Sequence, residues 1–196
     1  MTTRRYRGTL AVASLLLLLL PAMALAQSGE KDVGELAGFG GGGFGLGGSH
    51  GVVGGSSGIA FARNGMALLE AAYMPLGTDV LHPRTDYLSP SNSRLYDINM
   101  SIHIRIPVRE RFAPYVILGG GLLWSQYEAT PATALRPSTR VSRDEYRFGF
   151  HTGVGFRYYV GENWGFRPEY KAIISGSQTY SRFTVGVFYV LPALWP

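Results

Sequence analysis

The sequence predicts an all-β chain: eight antiparallel strands running up and down and closing into a transmembrane β-barrel, behind a cleavable signal peptide. Three observations carry this expectation. The first residues have the layout of an export signal. Beyond them, apolar and polar residues alternate with period two in run after run. The connections between runs alternate between tight turns and longer stretches rich in Pro, Ser and Thr.

Composition narrows the class before any element is placed. Charged residues make up 16% of the 196 residues, against about 25% in an average soluble domain. Glycine occurs 27 times, about twice its usual share of roughly 7%. Hydrophobic residues make up 46%, which argues against disorder. The chain has no cysteine, so disulfides, thiolate metal sites and thiol nucleophiles are excluded. No apolar run reaches the roughly 18 residues of a helical membrane span.

Arg4, Arg5 and Arg7 form a positive n-region, Leu10 to Leu20 an apolar h-region, and Ala24-Leu25-Ala26 a small-x-small cleavage site. The h-region is too short for a membrane anchor, which needs about 20 residues. Residues 1–26 are therefore expected to be a signal peptide for the general secretion route. Removing its three arginines lowers the formal charge from +5 to +2. The basic balance thus belongs in large part to the leader, and nucleic acid drops out as a partner.

In the mature chain the clearest run is Tyr96 to Ile106, apolar at every even position. As a strand it puts Ile98, Met100, Ile102 and Ile104 on one face and Asp97, Asn99, Ser101, His103 and Arg105 on the other. Tyr146 to Tyr158 puts Phe148, Phe150, Val154 and Phe156 opposite Arg147, His151 and Arg157. In Phe166 to Ala172, Arg167, Glu169 and Lys171 share a face. In Arg182 to Leu191, Val185, Val187, Tyr189 and Leu191 share one. Met66 to Pro75 sets Glu70 opposite Leu69, Ala71 and Tyr73. Ala113 to Tyr127 is strongly apolar and gives no face assignment. Glu35 to Leu46 and His50 to Phe61, both glycine-rich, complete eight strands.

Short connections are expected at Ala62 to Gly65, where Asn64-Gly65 signals a hairpin, at Pro107 to Phe112, and at Gly161 to Asn163. Longer loops are expected at Leu76 to Arg94, Glu128 to Asp144 and Ser175 to Tyr180. The break at Gly47 to Ser49 is short where the alternation calls for a long loop. Pro168, which removes a ladder hydrogen bond, predicts a local bulge.

In these features the chain resembles the OmpA-type small outer-membrane β-barrels from about Glu35 to Leu191. Its last strand, Thr184-Val185-Gly186-Val187-Phe188-Tyr189-Val190-Leu191, is similar to that family's C-terminal sorting pattern of polar-x-Gly-x-x-aromatic-x-apolar. Gly186, Tyr189 and Leu191 carry that similarity. Such chains usually end on the aromatic residue, whereas Pro192 to Pro196 follow here. The resemblance implies a Gram-negative outer membrane, surrounding lipid, the barrel-assembly machinery as a partner during biogenesis, and a monomer. The expected layout is a signal peptide at 1–26, a short segment at 27–34, the barrel at 35–191 and a tail at 192–196. Both termini are expected in the periplasm, with no wall-binding domain after the barrel.

Strands that cross hydrocarbon at a tilt need about 9–11 residues, and the runs have that length. Backbone donors left unpaired in lipid are costly, so the sheet must close. Tyr96, Tyr146, Tyr158 and Tyr189 lie near the ends of apolar faces, where interface girdles belong. Ile98, Met100, Ile102, Ile104, Phe148, Phe150, Val154, Phe156, Val185 and Val187 then face lipid.

Eight strands leave an interior just wide enough for side chains. The expected lumen holds Glu70, Asp97, Arg105, Arg147, Arg157, Arg167, Glu169, Lys171 and Arg182. Charges in such a space must pair, which predicts a salt-bridged plug rather than a gated conductance. Gly149, Gly153, Gly155 and Gly186 make room for long neighbours, and His103 and His151 are expected as lumen hydrogen-bonders.

No cofactor is expected. The Gly38 to Gly48 stretch lacks the following helix and the acidic residue of a dinucleotide site, and no Gly-Lys-Ser/Thr phosphate loop occurs. His50, His82, His103 and His151 have no metal-ligand spacing. The His-x-Ser pattern of lipid A deacylases is missing, since Thr152 and Gly153 follow His151.

The resulting expectation is a non-enzymatic outer-membrane barrel with a structural or surface-interaction role. A narrow channel or carrier of small apolar molecules is the first alternative. A soluble periplasmic ligand-binding barrel, with the two faces exchanged, is the second.

Overall fold

A computed structural model describes residues 32–78, 88–106, 108, 111–131 and 141–192. The expected signal peptide, residues 27–31 and the tail from 193 onward lie outside these residues, as do 79–87 and 132–140 of the two long connections.

Eight strands follow one another in chain order: β1 (Asp32–Phe44), β2 (Ser49–Ala62), β3 (Gly65–Gly77), β4 (Leu88–Arg105), β5 (Phe112–Pro131), β6 (Val141–Tyr159), β7 (Trp164–Ser175) and β8 (Gln178–Pro192). Each pairs antiparallel with the next, and β8 pairs back onto β1. Closure leaves no sheet edge in the spanning region, as a hydrocarbon surround demands.

The period-two faces fall as the sequence predicts. Met100, Ile102 and Ile104 of β4 point outward, while Asp97, Asn99, Ser101 and His103 are buried. Phe148, Phe150, Val154, Phe156, Val185 and Val187 are all exposed on the outer wall, and Ile98 is half-buried there. This orientation removes the soluble-barrel alternative, because the oily rows lie outside and the ionic rows inside. β5, which gave no faces from sequence, turns Tyr115, Ile117, Leu123 and Ser125 inward and Val116, Leu118 and Leu122 outward.

Aromatic rings mark both ends of the outer wall. Tyr73, Tyr96, Trp124 and Tyr146 stand side by side in register on four adjacent strands, with ring centroids 5.3, 4.9 and 5.8 Å apart. Toward the end where β1 starts and β8 finishes, Trp164, Tyr189 and Tyr158 are exposed. We call that the terminal end.

Several expectations need correction. Ser175 to Tyr180 is no long loop: β7 runs to Ser175 and β8 starts at Gln178. The two-residue link includes Gly176 at φ +61°, a conformation that glycine adopts without a Cβ penalty. The two other long connections are shorter than expected, because β4, β5 and β6 run 18, 20 and 19 residues against 12 to 15 for the rest. Their far ends pair with one another out to Leu88↔Pro131 and Ala129↔Val141. Pro90 is tolerated inside β4 because β3 has already ended: the β3–β4 ladder stops at Gly77↔Ser93, and a register shift sits at Pro90/Asn92. Pro168 makes no bulge. The β6–β7 ladder keeps its register from Gly155↔Glu169 to Tyr158↔Phe166 and omits the positions between, while Pro168 pairs with Val185 on its other side.

Candidate functional site

The lumen is built in two layers. Toward the terminal end it is ionic. Arg157 donates to Glu35 through Nε at 2.9 Å, and Arg167 Nη1 donates to the same carboxylate. Arg167 Nε lies 2.9 Å from Glu169 Oε1, and Lys171 Nζ lies 3.2 Å from Glu169 Oε2 and 2.7 Å from Glu70 Oε2. Arg182 bonds Glu70 through Nη2 and lies 3.3 Å from Asp97 through Nη1. Asn99 donates to Asp97 at 3.1 Å, and Tyr115 donates to Glu169 at 2.7 Å. Four acids thus face four bases, all buried. Charges so enclosed are tolerable only when each has opposite charge at hydrogen-bond distance.

The division between halves of the chain is uneven. Glu35, Glu70 and Asp97 come from β1, β3 and β4, whereas Arg157, Arg167, Lys171 and Arg182 come from β6, β7 and β8. Of the four network acids, Glu169 alone comes from the basic side.

Rings fill the gaps. His103 stacks on Tyr115 with centroids 4.7 Å apart, and the Arg157 guanidinium lies over the Tyr115 ring at 4.6 Å from its centroid. A Cβ on Gly155 would come within 2.6 Å of the Tyr115 hydroxyl, so this glycine does make room for a long neighbour.

Toward the opposite end the lumen turns apolar. Leu46, Val52, Met74, Leu76, Leu95, Leu123, Ile173 and Tyr180 form one buried cluster with Phe39 and Ala72. The sequence reading did not anticipate this layer.

Seven of the nine expected lumen charges are buried in the network's space: Glu70, Asp97, Arg157, Arg167, Glu169, Lys171 and Arg182. Arg105 and Arg147 are not joined to it. Arg105 is the last residue of β4 and donates to the Arg63 carbonyl at 3.1 Å. Arg147 lies beside the β7–β8 turn and pairs with Glu145 at 2.8 Å, partly exposed. Glu35 was missed, although its alternation with Leu36 was available. The outward neighbours Gly38, Gly40 and Gly42 carry no side chain to show which face is oily.

His151 lies inside as expected, but its Nε2 has no hydrogen-bond partner among the described residues. Ser101, His103 and Glu169 follow the order of a hydrolytic triad: Ser101 Oγ is 3.5 Å from His103 Nε2, and His103 Nδ1 is 4.0 Å from Glu169. The arrangement differs from a working triad in two ways. Arg157 Nη2 is 3.4 Å from His103 Nδ1 and, as a donor, opposes the proton that Nδ1 would have to present to the acid. Ser101 is also buried among packed side chains.

With the closed barrel, the outward oily rows and the ionic interior established, comparison with known proteins is decisive. The outer membrane protein beta-barrel domain matches over residues 12–190. The chain belongs to this family. It is an outer-membrane β-barrel protein set in lipid. Among solved structures, Ail, the attachment invasion locus protein of Yersinia pestis, is similar at 13% identity and TM-score 0.54, covering 83% of this chain and 100% of its own. Neisserial surface protein A is similar at 12% identity and TM-score 0.54, covering 81% and 96%. The N-terminal barrel domain of Pseudomonas aeruginosa OprF is similar at 15% identity and TM-score 0.50, covering 82% and 98%. At these identities the likeness is one of fold. No curated protein sequence matches the chain significantly.

Proposed function

We propose that the protein is a non-enzymatic, monomeric barrel with a sealed lumen, contributing a stiff element to the outer membrane and contact surfaces at its outer end. Its terminal end faces the periplasm in this reading. The observation that carries it is the interior: a charge-compensated network of four acids and four bases, followed along the axis by an apolar layer. An ion passing through would have to break buried pairs and then cross a mainly apolar stretch that offers no charged partner among the described residues, and both steps are costly. The far parts of β4, β5 and β6 rise beyond the aromatic row at Tyr146 and supply the outer surface. In the same reading, Gly186, Tyr189 and Leu191 on β8 serve the assembly machinery. The exposed Tyr189 ring supports that role.

Planar-bilayer recording of the purified, folded protein tests the sealed lumen against a narrow channel. The expected trace stays at the baseline of the bare membrane at either polarity. Stable, reproducible opening steps would refute the proposal and establish the channel.

A further inference from the structure

Most of the outer wall carries projecting Ile, Val and Phe side chains, but one part of it is hollow. Across β8, β1, β2 and β3 the outward positions shrink to Gly38, Gly55, Ser57 and Ala71, and a depression of about 600 Å³ opens there. Trp164, Tyr189 and Leu36 wall one side, and Leu69 and Ile98 the other. Gly38 is not a packing requirement, since a Cβ there would meet nothing within 4 Å.

Two observations say what fills it. The hollow is continuous with the lipid-facing wall, so its contents are drawn from the hydrocarbon. An apolar cleft left empty forfeits the dispersion contacts of its whole lining. Second, the hollow opens at the terminal end beside two exposed aromatic residues, Trp164 and Tyr189, of the kind that sit at headgroup level. From there its lining continues to Ile98, two residues short of the opposite aromatic row at Tyr96. A depression that starts at headgroup level and runs along the hydrocarbon-facing wall has the layout of one acyl chain.

We propose that this hollow is a seat for one acyl chain of a glycerophospholipid, with the headgroup beside Trp164 and Tyr189 and the methylenes lying over Gly38, Gly55 and Ala71. The inference goes beyond the sealed-barrel reading and uses only the lipid-facing wall. A conducting lumen would leave it standing.

The test uses Trp164 as reporter. In a Trp124→Phe/Trp195→Phe background, the barrel is reconstituted in vesicles mixing phosphatidylcholine with its chain-brominated analogue, and emission is followed against the brominated fraction. With the native hollow, Trp164 quenching should exceed that of a randomly mixed annulus, with an effective affinity several-fold above bulk lipid. Gly38→Leu/Ala71→Leu fills the hollow from the outside and should return quenching to the bulk curve. Folding of each variant is checked by heat-modifiable gel mobility. Native mass spectrometry from phosphatidylethanolamine nanodiscs gives a second readout with all tryptophans in place. One phospholipid should stay bound to the native chain and be lost from the filled variant. Quenching that follows the bulk curve in the native chain, equal lipid retention by the filled variant, or a lipid-free dimer covering Trp164 would each overturn the proposal.

Discussion

Glu70→Gln removes a lumen charge shared by two buried bases while almost preserving shape. Glu70 bonds Lys171 at 2.7 Å, bonds Arg182, and accepts from Asn99 at 3.5 Å. Without its charge, the four buried bases face three acids, Lys171 keeps only Glu169, and Arg182 keeps only Asp97 at 3.3 Å. Removing one partner of a buried pair costs about 3–5 kcal/mol, because the other charge stays in a low-dielectric space. The double variant Glu70→Gln/Arg182→Met restores the balance, and replacing a buried pair by neutral groups of similar size is often close to neutral. The expected loss is therefore about 3–5 kcal/mol for the single change, with most of it recovered in the double. Urea unfolding in lipid vesicles, followed by tryptophan emission and by heat-modifiable mobility, measures both. A single-variant loss below about 1 kcal/mol would mean that water already screens the network. A double-variant loss equal to the sum of the two single losses would mean that the two residues are not coupled. Either result refutes the argument from enclosure.

Two other changes probe the wall and the packing. Ile102→Arg, on the exposed middle of β4, should cost about 2–4 kcal/mol by the same unfolding assay, as expected for a cation facing the hydrocarbon. Gly155→Ala should cost about 1–3 kcal/mol through overpacking against Tyr115. The outward Gly38→Ala, with open space around its Cβ, serves as the neutral control for that change.

The strands and their faces were readable because a wall with oil on one side and ions on the other writes period two directly into the chain. Tyr96 to Ile106 shows this most plainly, and its odd and even positions lie on opposite sides of β4 as predicted. The signal fails where it has no contrast. On β1 the outward positions after Leu36 are Gly38, Gly40 and Gly42, so a single oily neighbour marked the phase of Glu35 and its place among the lumen acids was faint. On β5 both faces are apolar, because the interior itself turns apolar at Leu123 while Leu122 meets lipid. Connection lengths were misread for another reason. Pro90 and the Ser and Thr around it are ordinary signs of a loop, yet β4 and β5 continue to pair beyond the point where β3 stops. Local composition does not reveal that a neighbouring strand has ended. Arg105 and Arg147 had the correct face and the wrong level: alternation fixes direction across the wall but not height along the axis.

The unequal placement of charge has a consequence for how the molecule is put together. A wall made of β1 to β5 alone would present Glu35, Glu70 and Asp97 with no base opposite them. It must keep those carboxylates hydrated until β6, β7 and β8 arrive. Water can leave the interior only when the last three strands swing in with their cations. Dehydration and the final seam between β8 and β1 are then a single event, and a chain cut short of β6 has no route to a dry interior.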